Sequence, residues 1–334
     1  MGENFVFLRL NSITHPMYKE ERQLIAEVGG TLIETEGATD EDIIEHARSV
    51  DAVLVCASKL NKNVIDQLDR VRVISRFGTG VDKIDLDAAT AKGIVVTNLP
   101  GFSTNEVADH AMALLLAVAR KIMYYDAIIR TGHRPEGVDG IRRLAAMTLG
   151  IIGLGSIGRA VALRAQAFGM NVIGYDPVVP AETVRSLGIE PVDFDTVLAQ
   201  SDYLSLHCPL LPETRGLIGL NELKCMKRTA VLINTARGDI LKEIEVCEGL
   251  RQGLIQFAAI DVFGGFDICA EGGFPTTHPW FSLDNVILTP HVASNSEEAI
   301  MTCRVDGTKS AIAVLTGGKP NNIVNKAVLK RIAE

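Results

Sequence analysis

Short apolar runs alternate with amphipathic stretches along the first hundred residues. The runs are rich in β-branched residues, and the stretches between them place apolar residues at helical spacing, as crossover helices between parallel strands do. The predicted strands cover residues 5–10, 31–34, 52–56, 71–75 and 95–97, and the first predicted helices cover residues 18–28 and 40–47. This pattern predicts a parallel α/β domain.

A second series of elements begins after the turn-forming residues 98–101. Ser103 and Glu106 have the spacing of a capping box, which predicts one long helix over residues 104–131. Six apolar runs follow and predict a doubly wound sheet; they cover residues 148–152, 172–175, 203–207, 230–234, 258–262 and 286–288. The last helical stretch, residues 296–315, has no strand after it, and we expect it to pack on the N-terminal domain.

Composition and charge restrict the class of partner. A chain of 334 residues, 47% hydrophobic and 22% charged, is long enough for two packed domains. A net charge of -8 disfavours phosphate backbones and anionic membranes, and the apolar stretch at residues 111–119 is far shorter than the roughly 20 residues that cross a bilayer. The six cysteines are widely spaced and form no metal-binding pattern, and the N-terminus lacks the pattern of a signal peptide. We therefore expect a cytoplasmic protein without a metal, a nucleic-acid partner or a membrane partner.

A glycine-rich motif follows the strand predicted over residues 148–152. Gly153 permits a tight turn, Gly155 lets the backbone approach a pyrophosphate, and Gly158 allows close packing of helix on strand. Asp176 ends the next predicted strand, where a carboxylate accepts hydrogen bonds from ribose hydroxyls and repels a 2′-phosphate. The motif predicts NAD as the cofactor, with a purely structural turn as the alternative.

Two ionisable residues follow strands of the same predicted sheet. Arg237 comes after residues 230–234, and its planar guanidinium suits a carboxylate. His291 comes after residues 286–288, and its imidazole suits the proton transfer that carbonyl reduction requires. A surface arginine and a structural histidine are the simpler interpretations. Because open parallel sheets bind ligands at the carboxyl ends of their strands, we expect both residues at the reacting centre.

Seven segments together resemble the D-isomer-specific 2-hydroxyacid dehydrogenase family over nearly the whole chain. They are RFGTGVDKIDLDAATAKGIVVTNLPG (76–101), LGIIGLGSIGR (149–159), YDP (175–177), HCPLLPETRGLI (207–218), NTARG (234–238), AAIDVF (258–263) and LTPHVAS (288–294). The resemblance implies an NAD-dependent oxidoreductase that transfers a hydride between nicotinamide and a small D-2-hydroxy or 2-oxo acid. It also implies a flavodoxin-like substrate domain over residues 1–99 and 296–334 and a doubly wound Rossmann NAD domain over residues 100–295, both with parallel sheets.

The resemblance assigns roles to single residues. Arg237 would bind the substrate carboxylate and carbonyl, His291 would be the acid and base, and Asp261 would hold the nicotinamide carboxamide. Cofactor contacts are implied for Gly153, Gly155, Ser156, Ile157, Gly158, Asp176, His207, Cys208, Pro209, Thr214, Thr235, Ala236, Asp261 and His291. Substrate contacts are implied for Arg76, Gly78, Thr79, Gly80 and Arg237. A homodimer through the helix after Pro100 is implied as well.

The chain departs from the family beside the expected acid. A family glutamate that pairs with the histidine lies five residues after the aspartate of the D-V-F motif, and that position is Phe266 here. Glu271 is the first candidate to replace it, Asp267 is the second, and the third alternative is that no carboxylate pairs with His291. A further departure at residues 241–243 predicts a change in local packing or surface charge only.

Two other functions fit parts of the pattern. A protein that senses NAD(H), as among the co-repressors that resemble this family, would explain the altered glutamate segment, although the intact arginine and histidine argue against it. Formate dehydrogenase-like chemistry would need a glutamine beside the histidine, and none lies between Asp261 and His291. For the substrate, Ser58, Lys59 and Arg76 would offer a positive wall to a phosphate or a second carboxylate.

Overall fold

The structure, a computed structural model, describes residues 4–134, 140–265 and 277–333. The chain divides into two compact units, of which unit 1 comprises Met1–Phe102 and Ser296–Glu334 and unit 2 comprises Ser103–Asn295. Unit 1 is therefore built from two separate stretches of the chain, whereas unit 2 is continuous. The labels below number the strands and helices along the whole chain.

Unit 1 contains a five-stranded parallel sheet. Its strands are β1 (Val6–Arg9), β2 (Thr31–Glu34), β3 (Ala52–Val55), β4 (Val73–Arg76) and β5 (Val95–Thr97). They stand in the order β2-β1-β3-β4-β5, and each neighbouring pair is parallel. This is the strand order of flavodoxin-like folds, so the predicted fold class is confirmed for this unit.

The helices of unit 1 cover both faces of this sheet. They are α1 (Lys19–Glu27), α2 (Asp40–Ala47), α3 (Lys62–Asp66), α4 (Leu86–Ala91), α12 (Glu297–Leu315) and α13 (Val328–Ala333). Four of them begin after a polar residue whose side chain accepts a hydrogen bond from the first turn, namely Thr39, Asn61, Asp85 and Ser296. Such caps satisfy backbone N–H groups that lack a helical partner and so determine where each helix starts.

The helix α12 packs against the sheet although it is distant from it in sequence. Ser75 Oγ on β4 donates a hydrogen bond to Gly307 O on α12, over 2.7 Å. A Cβ at Gly307 would overlap the ring of Phe77, so only glycine allows this close approach. Val96 N–H donates to Asn325 Oδ1 over 2.9 Å, which ties the last residues of the chain to β5.

Unit 2 contains a seven-stranded parallel sheet. Its strands are β6 (Thr148–Ile152), β7 (Asn171–Tyr175), β8 (Glu190–Pro191), β9 (Tyr203–Leu206), β10 (Val231–Asn234), β11 (Phe257–Ile260) and β12 (Val286–Leu288). They stand in the order β12-β11-β10-β9-β6-β7-β8, which is a doubly wound Rossmann arrangement with one added strand. The six predicted strands are present, and β8 was missed because two residues carry no detectable period.

The helices of unit 2 lie on both faces of its sheet. They are α5 (Thr104–Ala119), α6 (Ile122–Arg130), α7 (Ser156–Ala167), α8 (Ala181–Ser186), α9 (Phe194–Gln200), α10 (Leu220–Cys225) and α11 (Glu243–Arg251). Short 3₁₀ turns cover Leu144–Ala146, Gly238–Ile240 and Pro279–Ser282. One face packs α5 and α7 with residues such as Leu115 and Val161, and the other packs α10 and α11 with Leu223 and Val246.

The single helix predicted over residues 104–131 is wrong. The structure ends α5 at Ala119, gives Lys121 a left-handed backbone with φ of 53°, and starts α6 at Ile122. The predicted capping box is wrong too, because the side chain of Ser103 caps no N–H of the helix. The break has a packing cause: α5 buries seven of its residues, whereas α6 buries none and leaves the core.

Among the residues that the structure describes, every helix is too short or too polar to be a candidate for crossing a bilayer.

Candidate active site

Three loops leave neighbouring strands of unit 2 at the same edge of the sheet. Asn234, Ile260 and Leu288 are in register across β10, β11 and β12. Asp261 comes directly after its strand, while Arg237 and His291 each follow the paired residue by three positions. Because neighbouring strands lie about 4.8 Å apart, the three loops start within roughly 10 Å of one another.

The arginine loop is held by a buried asparagine. Asn234 Oδ1 accepts a hydrogen bond from Ala236 N–H over 3.0 Å, and Asn234 Nδ2 donates to Arg237 O over 2.9 Å. The half-buried guanidinium of Arg237 donates from Nη1 to Ala236 O over 2.7 Å. Beyond it, a Cβ at Gly238 would overlap the backbone of Phe263, so this loop packs directly on the D-V-F segment.

The histidine turn is organised by Asp261, whose side chain is completely buried. Asp261 Oδ1 accepts hydrogen bonds from Thr289 Oγ1 over 2.6 Å and from Val292 N–H over 3.0 Å. Asp261 Oδ2 accepts one from Ala293 N–H over 3.0 Å, and Asp261 O accepts one from His291 N–H over 2.8 Å. His291 has a left-handed φ of 54° and its side chain is exposed.

A second histidine contacts the same network, and the sequence analysis missed it. His110 on α5 places Nε2 3.0 Å from Thr289 Oγ1 and 3.5 Å from Asp261 Oδ1. The available signal was a histidine directly before the apolar stretch at residues 111–119, since a polar side chain beside buried residues needs a hydrogen-bonding partner. The identity of that partner, 179 residues along the chain, was not accessible from local patterns.

The glycine-rich loop joins β6 to α7 as the motif predicts. Gly153 has a left-handed φ of 95°, and a Cβ at Gly158 would overlap Gly153 O. A Cβ at Gly155 would meet nothing within 4 Å, so the space in front of this residue is open. Ser156 and Ile157 form the first turn of α7, where unpaired backbone N–H groups attract a phosphate.

Asp176 lies at the end of β7 beside this loop. Its Oδ2 accepts a hydrogen bond from Leu154 N–H over 2.8 Å, and its Oδ1 accepts from Val178 N–H over 2.8 Å and Val179 N–H over 3.1 Å. These bonds orient the carboxylate and leave lone pairs for further donors. A cavity of about 360 Å³ extends from Asp176 towards Arg185.

The loop after β9 contains four more of the predicted cofactor residues, namely His207, Cys208, Pro209 and Thr214. His207 N–H donates to Ile152 O over 2.7 Å, and His207 Nε2 lies 2.8 Å from Ser205 Oγ. Burial lowers the pKa of His207 to about 4 and raises the pKa of Cys208 to about 11. Both side chains are therefore neutral at pH 7. Thr214 Oγ1 donates to Pro209 O over 2.6 Å and holds the loop closed.

Thr235 provides a test of whether a coenzyme fits this edge. Its hydroxyl is buried and has no hydrogen-bonding partner among the residues that the structure describes. Such a group carries a desolvation cost unless a ligand supplies the partner. Together with the open space at Gly155, it makes the edge suitable for a dinucleotide that runs from Asp176 to the Arg237 loop.

Glu271, Asp267 and Phe266 lie outside the described residues, so the predicted partner of His291 stays a prediction. Another carboxylate, that of Glu243, contacts the chain just after the D-V-F motif. Glu243 is buried, accepts a hydrogen bond from Gly264 N–H over 2.9 Å, and lies 3.3 Å from His278 Nε2.

Glu243, the last residue of the segment 241–243, therefore makes a buried contact that the sequence did not predict. Burial raises the pKa of Glu243, the Gly264 hydrogen bond opposes this rise, and burial lowers the pKa of His278. The Glu243 carboxylate joins the start of α11 to the chain after the D-V-F motif. Sequence reasoning missed this because the bond spans 21 residues.

Of the predicted substrate residues, Gly78, Thr79 and Gly80 lie in the loop of unit 1 after β4, and Arg76 is the last residue of that strand. Gly78 has a left-handed φ of 137° and accepts a hydrogen bond at its carbonyl from Leu99 N–H over 3.0 Å. Thr79 Oγ1 donates to Leu99 O over 3.1 Å, and Asn98 Nδ2 donates to Thr79 O over 2.6 Å. Arg76 donates from Nη1 to Phe77 O, so its guanidinium lies along the same loop.

Comparison with known proteins adds an independent finding. The family model described as D-isomer specific 2-hydroxyacid dehydrogenase, NAD binding domain, matches residues 112–293. The D-3-phosphoglycerate dehydrogenase of Methanocaldococcus jannaschii is 39% identical over 319 residues, which cover 94% of this chain and 59% of that protein. The glyoxylate reductase of Thermococcus litoralis is 40% identical over 295 residues, which cover 86% of this chain and 87% of that protein.

A solved structure is similar in fold along the chain. The D-lactate dehydrogenase from Aquifex aeolicus, complexed with NAD and lactic acid, has a TM-score of 0.85 at 26% identity and covers 96% of this chain and 99% of its own. The similarity includes both units.

Acidification should destabilise the protein through His207. Its pKa is about 4 in the folded state against 6.5 when unfolded, so the unfolded state binds the proton first and stability falls as the pH drops from 6.5 to 4. We expect the wild-type to lose about 1 to 3 kcal/mol more than His207→Gln over this range, measured by urea unfolding. His133→Gln, at an exposed histidine, is the control. Parallel pH curves for wild-type and His207→Gln would contradict the prediction.

Two glycines of the motif should differ in what they control. Gly155→Ala has room for its methyl group and should keep the unfolding free energy within about 0.5 kcal/mol, while the Kd for NADH rises at least about tenfold. Gly158→Ala overlaps Gly153 O and should cost about 1 to 3 kcal/mol of stability. Urea unfolding and NADH fluorescence titration measure the two effects. Equal losses of stability in both variants would argue against this division of roles.

Proposed function

The chain belongs to the D-isomer specific 2-hydroxyacid dehydrogenase family, and from this premise we propose that it is an NAD-dependent dehydrogenase acting on a small D-2-hydroxy acid or the corresponding 2-oxo acid. Its unit 2 binds NAD. The observation that carries the proposal is the placement of Arg237, Asp261 and His291 after three adjacent strands at one edge of the sheet. This edge is where doubly wound sheets bind nucleotides.

Arg237 binds the substrate in this proposal. A guanidinium can donate two parallel hydrogen bonds to a carboxylate, and one of its N–H groups can reach the neighbouring carbonyl oxygen. The Asn234 bonds and the close packing of Gly238 keep the loop in one conformation. A substrate held this way keeps its carbonyl carbon in a constant orientation, which lowers the entropic part of the barrier.

His291 moves the proton in this proposal. Bound NADH supplies the hydride to the carbonyl carbon during reduction. The imidazolium of His291 gives its proton to the carbonyl oxygen, and in the oxidation direction the neutral imidazole takes the hydroxyl proton back. The exposure of the His291 side chain allows the ring to be reprotonated from solvent after each turnover.

Asp261 holds the nicotinamide carboxamide in this proposal. Its Oδ1 accepts hydrogen bonds from Thr289 and Val292, whereas its Oδ2 accepts one, from Ala293 N–H, among the described residues. A carboxylate oxygen has two lone pairs, so Oδ2 can accept one further N–H. The buried Asp261 carboxylate would then orient both the His291 imidazole and the nicotinamide ring.

The remaining coenzyme contacts follow the course of the loops. Asp176 would accept hydrogen bonds from the adenosine ribose hydroxyls, and the backbone N–H groups of residues 153–158 would bind the pyrophosphate. The segment from His207 to Pro209, with Thr214 behind it, borders the dinucleotide with neutral side chains. Thr235 and Ala236 meet it near the nicotinamide.

The sequence ranks the carboxylates that could pair with His291, and we keep that ranking. We propose Glu271 first and Asp267 second as the carboxylate that pairs with the imidazolium, with a histidine that lacks such a partner as the third alternative. The test is the pH dependence of kcat/KM for Glu271→Gln in the reducing direction.

The substrate class is proposed from the relatives and from unit 1. One relative is named for a phosphorylated hydroxy acid and another for glyoxylate, so small 2-hydroxy and 2-oxo acids are the shared class. We assign the N–H groups of residues 78–80 to the substrate carboxylate and Arg76 to a second acidic group. We also place the reaction in the cytoplasm, where the described cysteines, all free thiols, stay reduced.

We propose that two copies associate through α6. Its exposed apolar side chains are Ile122, Met123, Tyr124 and Ile129, between 53% and 62% exposed. A run of this kind on a helix that buries none of its residues is typical of a surface covered by a partner. A second copy of this chain fits the homodimer implied by the family.

Turnover separates the enzyme from a sensor of NAD(H). NADH oxidation should occur with at least one of glyoxylate, pyruvate, hydroxypyruvate and phosphorylated hydroxypyruvate. Arg237→Lys and His291→Gln should each lower kcat/KM about 10²- to 10⁴-fold, while the Kd for NADH changes little. Arg251→Lys and His133→Gln, at exposed positions, are the matched controls. NADH binding without turnover of any acid would favour the sensor.

Charge placed on α6 should separate the copies. Met123→Glu combined with Ile129→Glu should halve the mass measured by analytical ultracentrifugation, because two desolvated carboxylates oppose burial of this face. Ile13→Glu, at a residue 67% exposed in unit 1, should leave the mass unchanged. A wild-type protein that already sediments as a monomer would rule out the dimer.

A further inference from the structure

A chain of side-chain hydrogen bonds runs from His110 on α5 through Thr289 to Asp261, which holds the turn that carries His291. We infer that His110 and Thr289 are positioning residues for the reacting centre, acting through Asp261 on the orientation of His291. This inference rests on the proposed function, since it concerns the same acid. Neither residue was assigned a role by the motif or by the family resemblance.

The direction of the hydrogen bonds follows from the chemistry of the three groups. Thr289 Oγ1 lies 2.6 Å from Asp261 Oδ1 and 3.0 Å from His110 Nε2. An ionised carboxylate can only accept, so the single hydroxyl proton of Thr289 points to Asp261. The hydroxyl oxygen must then accept from His110, which places the proton of this imidazole on Nε2.

The Asp261 carboxylate depends on this chain for its orientation. The side chain is completely buried, and a buried carboxylate is stable only where donors surround it. Two of its donors, Val292 N–H and Ala293 N–H, belong to the turn itself. The Thr289 hydroxyl, backed by His110 on a separate helix, is the side-chain donor that holds the carboxylate against rotation.

The turn that carries His291 has an unusual backbone conformation, which neighbouring hydrogen bonds must stabilise. His291 has a left-handed φ of 54°, which L-residues rarely adopt unless neighbouring bonds hold them there. Four bonds to Asp261 provide this support, one at its carbonyl and three at its carboxylate. Loss of the Thr289 bond would let the carboxylate turn and would shift the imidazole relative to the substrate.

The size of the effect follows from the geometry of proton transfer. A displacement of about 1 Å at a reacting group can cost about 100-fold in rate. Because the same carboxylate is proposed to hold the carboxamide, the loss should appear in kcat more than in the KM for the oxo acid. A residue that only stabilises the fold would not produce this split.

The experiment compares Thr289→Val, which removes the hydroxyl, with Thr289→Ser, which keeps it. We expect Thr289→Val to lower kcat about 10- to 100-fold with the KM for the oxo acid within about threefold, and Thr289→Ser to stay within about threefold of wild-type. His110→Leu should lose kcat in part, and His110→Gln, which retains a donor, should recover it. Ile287→Val, on the strand that precedes Thr289, controls for loss of stability.

A double variant tests whether the two residues act as one chain. Thr289→Val with His110→Leu should be no slower than Thr289→Val alone, within about threefold, because His110 acts through the hydroxyl. Losses that multiply would overturn the inference, as would Thr289→Ser being as slow as Thr289→Val.

A readout independent of turnover keeps the two proposals distinct. The histidine NMR resonance that disappears in His291→Gln should titrate with a midpoint at least about 0.5 pH units from wild-type in Thr289→Val, and at the wild-type midpoint in Thr289→Ser. A shifted midpoint in a protein without turnover would defeat the proposed function but leave the positioning role. Normal turnover with unchanged kcat and an unchanged midpoint in Thr289→Val would end the positioning role alone.

Discussion

A carboxylate without solvent contact must be surrounded by hydrogen-bond donors, and Asp261 obtains them from the segment that follows β12. The carboxylate and the turn stabilise each other. The carboxylate is tolerated in the interior because the turn bends its N–H groups towards it, and the turn keeps its left-handed residue because the carboxylate is there. The direction of the exposed His291 imidazole is therefore determined by the buried Asp261 carboxylate and by the turn that bonds to it.

Other polar groups at the same edge of the sheet in unit 2 also need hydrogen-bonding partners. Parallel strands end their hydrogen bonding together, and the residues just beyond them must find partners in side chains or ligands. Asn234 forms hydrogen bonds within its own loop, and Asp176 accepts one from Leu154 N–H beside β7. Among the described residues, the Thr235 hydroxyl has no hydrogen-bonding partner. The backbone at this edge is therefore held by the chain's own hydrogen bonds, and the Thr235 hydroxyl is a group that a ligand can pair with.

Local patterns were sufficient for much of this architecture and insufficient for the rest, for identifiable reasons. The strands of both sheets, except the two-residue β8, and the glycine motif can be predicted from neighbouring residues, because the apolar period and the required φ angles are local properties. The end of α5 at Ala119 was not predictable, because no glycine or proline marks Lys121 and the cause is that α6 leaves the core. His110 and Glu243 were missed because their partners are 179 and 21 residues away.

The division of unit 1 into two stretches of chain has a consequence for how the protein is made. The ribosome releases the five strands of this unit first, then all of unit 2, and only then α12, whose Gly307 and Ala311 close one face of the first sheet. Until α12 has been synthesised, apolar residues such as Phe7 and Leu54 lack part of their cover, and such surfaces attract chaperones and aggregation partners. Unit 2 is continuous and can complete its core earlier, so a nascent chain holds a finished nucleotide fold beside an unfinished sheet.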